Sequence, residues 1–319
     1  SSSTHIEQVV MKKLVNNIVP EQIKAPIRSS KLFQNIHNKI HASQLAVSGK
    51  KLDICASEVA LYLLYAGKEK YVLRDKVCIE VGSGWLLTHA LVFYLLGAKK
   101  VYATDIEPLL QTQCIFDAIS KSVDWSILDS LSNFEDRALV ESRLSKLLAV
   151  KRFSIEVLKD FGIEYIAPVD LSIKLPIEEQ LDFIFSKSVL EHVPVDDGIP
   201  LLKNLANELS EDGFMFHLIH LEDHKDLENK PFDFLTYSQE FYSRDLQTRW
   251  GNRIRRSQWK EILSQIETLD SKFVFEWSSK YKPLPAEIHP CIRYIDEEDL
   301  RISHIGVYLK RTPSNTISL

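Results

Sequence analysis

The sequence predicts an α/β fold, a mostly parallel β-sheet with helices on its faces. Two stretches predict it. Val77-Cys78-Ile79-Glu80-Val81 is an apolar run closed by Gly82-Ser83-Gly84, and Val101-Tyr102-Ala103-Thr104 ends in Asp105, twenty-one residues after Gly84. An apolar run bounded by glycines suits a strand covered on both faces. Gly82 and Gly84 remove side chains where a ligand must approach the backbone, and the following helix offers unpaired N–H groups. A carboxylate at the tip of the second strand is placed to accept hydrogen bonds from ribose hydroxyls. The pair of strands reads as a nucleoside-binding crevice.

A dinucleotide-binding turn wants a third glycine three residues after the second. That position is Leu87, preceded by Trp85 and Leu86, and the bulk argues against a pyrophosphate. Glu80-Val81-Gly82-Ser83-Gly84, with Asp105 ending the next strand, resembles the first two motifs of the class I S-adenosylmethionine-dependent methyltransferases. Further matches follow in order. Tyr165 to Leu171 reads as a third strand ending near Asp170, Leu181 to Val193 is similar to the family's fourth strand with its Glu-His-Val signature, and Gly213 to His220 supplies a fifth. The resemblance implies a Rossmann-like seven-stranded sheet with an antiparallel last strand, and S-adenosylmethionine as cofactor. It implies that Glu80, Gly82, Ser83, Gly84, Asp105, Ile106, Asp170, Leu171 and Ser186 line the cofactor site. In that site Glu80 serves the methionine amino group and Asp170 the adenine.

The remaining elements fall around this frame. Thr4-His5-Ile6-Glu7 is a capping-box pattern, and Ile6, Val9, Val10, Leu14 and Ile18 form an apolar stripe that Pro20 ends. Residues 1–70 are expected to form an N-terminal helical cap, and residues 71–319 the methyltransferase-type domain. Insertions are expected at 120–160, where leucines suggest helices, and at 221–258, a polar segment that reads as a lid. Phe273 to Trp277 and His304 to Leu309 read as the last two strands.

Composition narrows the partners. The chain has 319 residues, 45% hydrophobic and 26% charged, ordinary for a globular protein. With 44 acidic against 39 basic side chains the net charge is −5, which gives no broad basic field for nucleic acid or an anionic membrane. No apolar run approaches the roughly 20 residues that span a bilayer. Ser1-Ser2-Ser3-Thr4-His5 lacks signal-peptide character, and the four cysteines are scattered without a Cys-x-x-Cys pair. The expectation is a reduced, cytoplasmic protein that takes a small-molecule substrate, without nucleic acid, membrane or metal. The helical cap serves a homodimer as readily as a lid.

Three constellations carry candidate chemistry. His192 follows the fourth strand, where the acceptor enters in this family, and imidazole suits a general base near neutral pH. Its alternatives are bracing the loop and lining the cofactor pocket. In His217-Leu218-Ile219-His220-Leu221-Glu222-Asp223-His224, strand geometry places His220 and Glu222 on one face. His224 is a candidate base, with His220 and Asp223 as substrate contacts. Structural polar residues and a metal site are the other readings of this run. In Asn252-Arg253-Ile254-Arg255, alternation would point Arg253 and Arg255 together as a clamp for a carboxylate or phosphate. A solvated or salt-bridged loop is the alternative. The last two runs, with Pro231 to Ser238, resemble a bacterial methyltransferase subgroup of glycan or small-molecule type. The reading is O- or N-methylation of a small molecule, against C-methylation or a cofactor-bound, non-catalytic scaffold.

Overall fold

The computed structural model describes residues 31–121 and 126–313. The helix expected over residues 4–18 lies outside them. Helices α1 (Lys31–Ala46) and α2 (Leu52–Tyr65) precede β1 (Val77–Val81), α3 (Thr88–Leu95) and β2 (Lys100–Thr104). Four short helices follow, α4 (Thr112–Ser120), α5 (Ser126–Leu131), α6 (Arg137–Ala149) and α7 (Ile155–Asp160), where helical insertions were expected. Then come β3 (Ile163–Ile166), β4 (Leu181–Lys187), a 3-10 turn (Leu190–His192), α8 (Val195–Glu208) and β5 (Leu209–His220). The chain closes with α9 (Arg244–Trp250), α10 (Arg256–Ser264), β6 (Leu269–Ser278), α11 (Glu297–Arg301) and β7 (Ile302–Arg311).

The seven strands form one sheet in the order β3-β2-β1-β4-β5-β7-β6. β7 runs antiparallel to β5 and β6, and the pairs from β3 to β5 are parallel. This is the Rossmann-like sheet the sequence led us to expect. Strand order reverses between β1 and β4, so the crevice for a ligand opens at their carboxyl ends. The register aligns those ends: Val81 pairs with Thr104 on one side and Ser186 on the other.

Period-two alternation sends side chains to two cores. Cys78, Val101, Phe183, Phe185, Phe214 and Phe216 face α2 and α3. Ile79, Val81, Tyr102, Ile184, Met215 and Ile219 face Leu201, Leu202 and Leu205 of α8 and Trp259 of α10. Tyr62 of α2 stacks on Phe216 with ring centroids 5.0 Å apart. The expected cap therefore divides: α2 belongs to the main core, whereas α1 lies on the segment after the glycine turn, through Ala42, Ala46 and Leu86. The segment expected as a polar lid has a core of its own, with Phe232, Phe234, Leu235 and Tyr242 packed on Ile292 and Leu300. The third strand ends earlier than expected, at Ile166, and Asp170 stands in the loop beyond. No helix among the described residues is long and apolar enough to cross a membrane.

Candidate functional site

The crevice begins at the glycine turn. Gly82 and Gly84 take φ of 71° and 66°, the left-handed region that costs a side-chain-bearing residue energy. Ser83 N donates to Thr104 O, and Gly84 N donates to Asp105 Oδ2 at 2.8 Å. Asp105 Oδ1 accepts from Glu107 N at 3.1 Å, so one carboxylate orders both loops of the crevice. Burial pushes the Asp105 carboxyl above its ordinary range, against these two backbone donors. Beside it Ile106 is 65% exposed. Val169 N donates to Asp105 O, which docks the third loop on the second, and Asp170 Oδ1 accepts from the backbone and hydroxyl of Ser172.

Some expected cofactor contacts are occupied otherwise. Both Glu80 oxygens are turned onto α3: Oε1 accepts from His89 Nδ1 at 3.1 Å and Oε2 from Ala90 N at 3.2 Å. Ser186 is fully buried and its hydroxyl pairs with His217 Nδ1 at 2.7 Å, so it braces β4 against β5 instead of facing the crevice. Leu171 packs in the core with Ile177 and Leu205. Ser83 Oγ and Trp85 Nε1, by contrast, are buried in the turn without a hydrogen-bond partner.

The ends of β4, β5 and β7 bring four histidines together. His192 and His224 meet edge to face at 4.5 Å, and His220 lies 4.8 Å from His224. His304, paired with His220 across β5 and β7, stacks on it at 4.1 Å and 11°. His220 Nε2 donates to Glu222 Oε2 at 2.7 Å, while Glu222 Oε1 accepts from Ser279 Oγ and Lys282 Nζ. Despite burial, hydrogen bonds from His220, Lys282 and Ser279 hold Glu222 down to about 2. Burial and the crowding of imidazoles push His224 down to about 3 and His304 to about 4, and His192 also falls below its usual range. Glu191 is pushed up to about 8 by burial.

Asn252 fixes this corner. Its N donates to Glu191 O at 2.6 Å, and its Nδ2 donates to Leu190 O and Val193 O at 2.8 Å. Sequence reasoning missed Asn252, Glu191, Glu222 and His304 as site residues. Their proximity arises from strand pairing and loop docking, which no local pattern encodes, although Glu191 and Glu222 adjoin histidines that were singled out.

The arginine pair needs correcting. The 251–255 segment is not a strand; φ at Arg253 is 65°, so the two side chains do not share a face. Arg253 donates to Tyr237 O and Gln239 Oε1 and lies over the Tyr242 ring at 3.9 Å. Arg255 is 1% exposed and donates to Leu221 O at 2.6 Å and Arg253 O at 3.3 Å. Arg253 thus holds the 234–239 segment and Arg255 the residue that follows β5, which leaves no fork for an anion. Asp223 is likewise interior: its Oδ1 accepts from Lys225 N.

No family model and no curated protein matches this chain. Solved structures similar to it include the mitomycin 7-O-methyltransferase MmcR, at 13% identity and TM-score 0.42 over 90% of this chain. The chain spans 59% of that protein's length. Magnesium protoporphyrin IX methyltransferase from Synechocystis PCC 6803, solved with bound SAH, is similar at 13% identity and TM-score 0.39, over 81% of this chain and 82% of that one. DhpI in complex with SAH is similar at 15% identity and TM-score 0.42, over 88% and 96%.

Proposed function

We propose that the chain is an S-adenosylmethionine-dependent methyltransferase acting on oxygen or nitrogen of a small molecule. The observation that carries the reading is the meeting of two features at the reversal of strand order. The glycine turn held by Asp105 abuts Val189, and the histidine cluster starts three residues later at His192. The site has the features a nucleoside cofactor needs. Ser83 Oγ is buried and unpartnered, nothing lies within 4 Å of where a Gly84 Cβ would stand, and Ile106 offers exposed apolar surface beside Asp105.

In this reading Gly82, Ser83 and Gly84 present backbone and hydroxyl to the cofactor. Asp105 holds the ribose hydroxyls, and Ile106 covers the base, with Asp170 nearby. Glu80 fixes α3 against β1 through His89 and Ala90. When bound, the cofactor supplies a methyl group on a sulfonium that is already its own leaving group. The protein has to align the acceptor, exclude water and take a proton. His192 Nδ1 is buried without a partner and is the atom assigned to accept that proton. Asn252 positions its turn.

The test is transfer of a labelled methyl from S-adenosylmethionine to panels of hydroxylated, amine and carbon-acid compounds. Acceptor-dependent labelling of an alcohol or amine, lost in His192→Gln, is expected. Labelling of a carbon acid alone contradicts the acceptor assignment. Cofactor binding without turnover on any panel supports the scaffold reading instead.

A further inference from the structure

Three groups of side chains among the described residues bring metal-ligating atoms within 4.8 Å of one another: Cys55-Glu58-His89, His220-Glu222-His304 and Glu191-His220-His224. Their hydrogen bonding separates them. In the first, Glu58 is held by Lys187 and His89, and both His89 nitrogens are taken, by Glu80 and Glu58. In the second, Glu222 already receives His220, Ser279 and Lys282. In the third, neither oxygen of Glu191 has a hydrogen-bond partner although the residue is 2% exposed, and His224 Nε2 is unpartnered as well. Leaving buried polar oxygens without a partner is costly. His224 Nε2 lies 3.7 Å from Glu191 Oε1, beyond hydrogen-bond distance.

We propose that Glu191, His220 and His224 bind a divalent first-row transition metal such as zinc, at the ends of β4 and β5. The chemistry of the donors suits it: two imidazoles and one carboxylate, the set that serves zinc and related ions with one or more positions left open. Zinc binds these atom types at about 2.0–2.2 Å, so donors already grouped this closely need shifts of about 1 Å or less to meet on one ion. The surrounding shell is also in place. Glu222 accepting from His220 Nε2 fixes the tautomer that keeps a lone pair on Nδ1, as outer carboxylates do for metal-bound histidines. Asn252 holds the backbone of Glu191. His220 and His224 are only partly buried, which leaves a way in. The open position would take an acceptor oxygen and ease its deprotonation. That role rests on the methyl-transfer reading; metal binding does not.

The experiment strips the full chain with a chelator and titrates it with zinc chloride by calorimetry, and with cobalt(II) by visible absorbance. Expected are one equivalent of zinc bound at micromolar affinity or tighter and cobalt d–d bands without a sulfur-to-cobalt charge-transfer band. Both should be lost in His224→Ala and in Glu191→Gln and retained in Cys55→Ala, with circular dichroism reporting the fold. Glu222→Gln should weaken zinc by about 10- to 100-fold. The proposal is overturned if the wild-type chain binds neither ion, if both ligand variants bind as wild type does, or if Cys55→Ala removes the site. Asp105→Ala should lose S-adenosylmethionine and keep zinc, so failure of the cofactor reading is seen separately.

Discussion

Asp105 Oδ2 receives the backbone N–H of Gly84 at 2.8 Å, so the carboxylate that ends β2 also sets the shape of the turn that ends β1. The two motifs are thus one site, and the second glycine is held in place before any ligand arrives. Asp105→Asn preserves the size of the side chain and removes its charge. Hydrogen bonds to charged groups contribute about 1.5–3 kcal/mol, so cofactor affinity is expected to fall by about 10- to 100-fold. Calorimetry checks this, and unchanged affinity would remove Asp105 from the site.

Gly82 tests the contact between the turn and the fourth strand's loop. A Cβ there would stand 2.4 Å from Val189 Cγ2, at a φ of 71°. Gly82→Ala is expected to destabilise the chain by about 1–3 kcal/mol. Gly82→Ala combined with Val189→Ala should recover the part due to the clash and leave the part due to backbone strain. Denaturant unfolding of the four proteins gives the coupling. Additive effects would show that the two residues do not touch.

The arginines provide a discriminating case between clamp and staple. Arg255→Met leaves Leu221 O without its donor in the interior, a loss of about 1–3 kcal/mol in stability. Thermal unfolding should shift, while KM for an anionic acceptor stays unchanged once the protein is folded. A KM effect with unaltered stability would restore the clamp.

A buried ionic chain behind the glycine turn should govern stability against pH. His89 lies between Glu80 and Glu58, Glu58 reaches Lys187, and Cys55 and Lys50 also face His89. Burial works against charge at both groups. His89 and Lys187 nevertheless hold Glu58 down to about 2, and Cys55 and Glu58 hold His89 up to about 10. Glu58 therefore adds stability above its ordinary value of 4.5 and loses it as pH falls from there toward 2. His89 adds stability below 6.5, lost as pH rises toward 10. Urea midpoints across this range should fall at both ends, and Glu58→Gln should flatten the acid limb. An acid limb unchanged by that variant would contradict the assignment.

What was legible in the sequence was local or strictly ordered. The β1 run, its two glycines and Asp105 sit in short contiguous patterns, and β1, β2, β4 and β5 could be read from apolar periodicity. The glycine turn and its link to Asp105 were legible for the same reason. Legibility failed where a side chain's fate is decided by distant partners. Ser186 belongs to the fourth-strand signature, yet both faces of β4 are covered and His217 takes its hydroxyl. Arg253 and Arg255 alternate as a strand would, but positive φ at Gly251 and Arg253 bends the segment and turns both inward. His304 reaches the histidine cluster only through the antiparallel pairing of β7 with β5.

The central claim is that the crevice at the carboxyl ends of β1 and β4, beside Asp105, takes S-adenosylmethionine. Calorimetric titration of the purified chain with S-adenosylmethionine, and in parallel with NAD(H), tests it most directly. The account predicts micromolar binding of the former, abolished by Asp105→Ala, and no binding of the latter. Absence of S-adenosylmethionine binding, or tight binding of NAD(H), would contradict it.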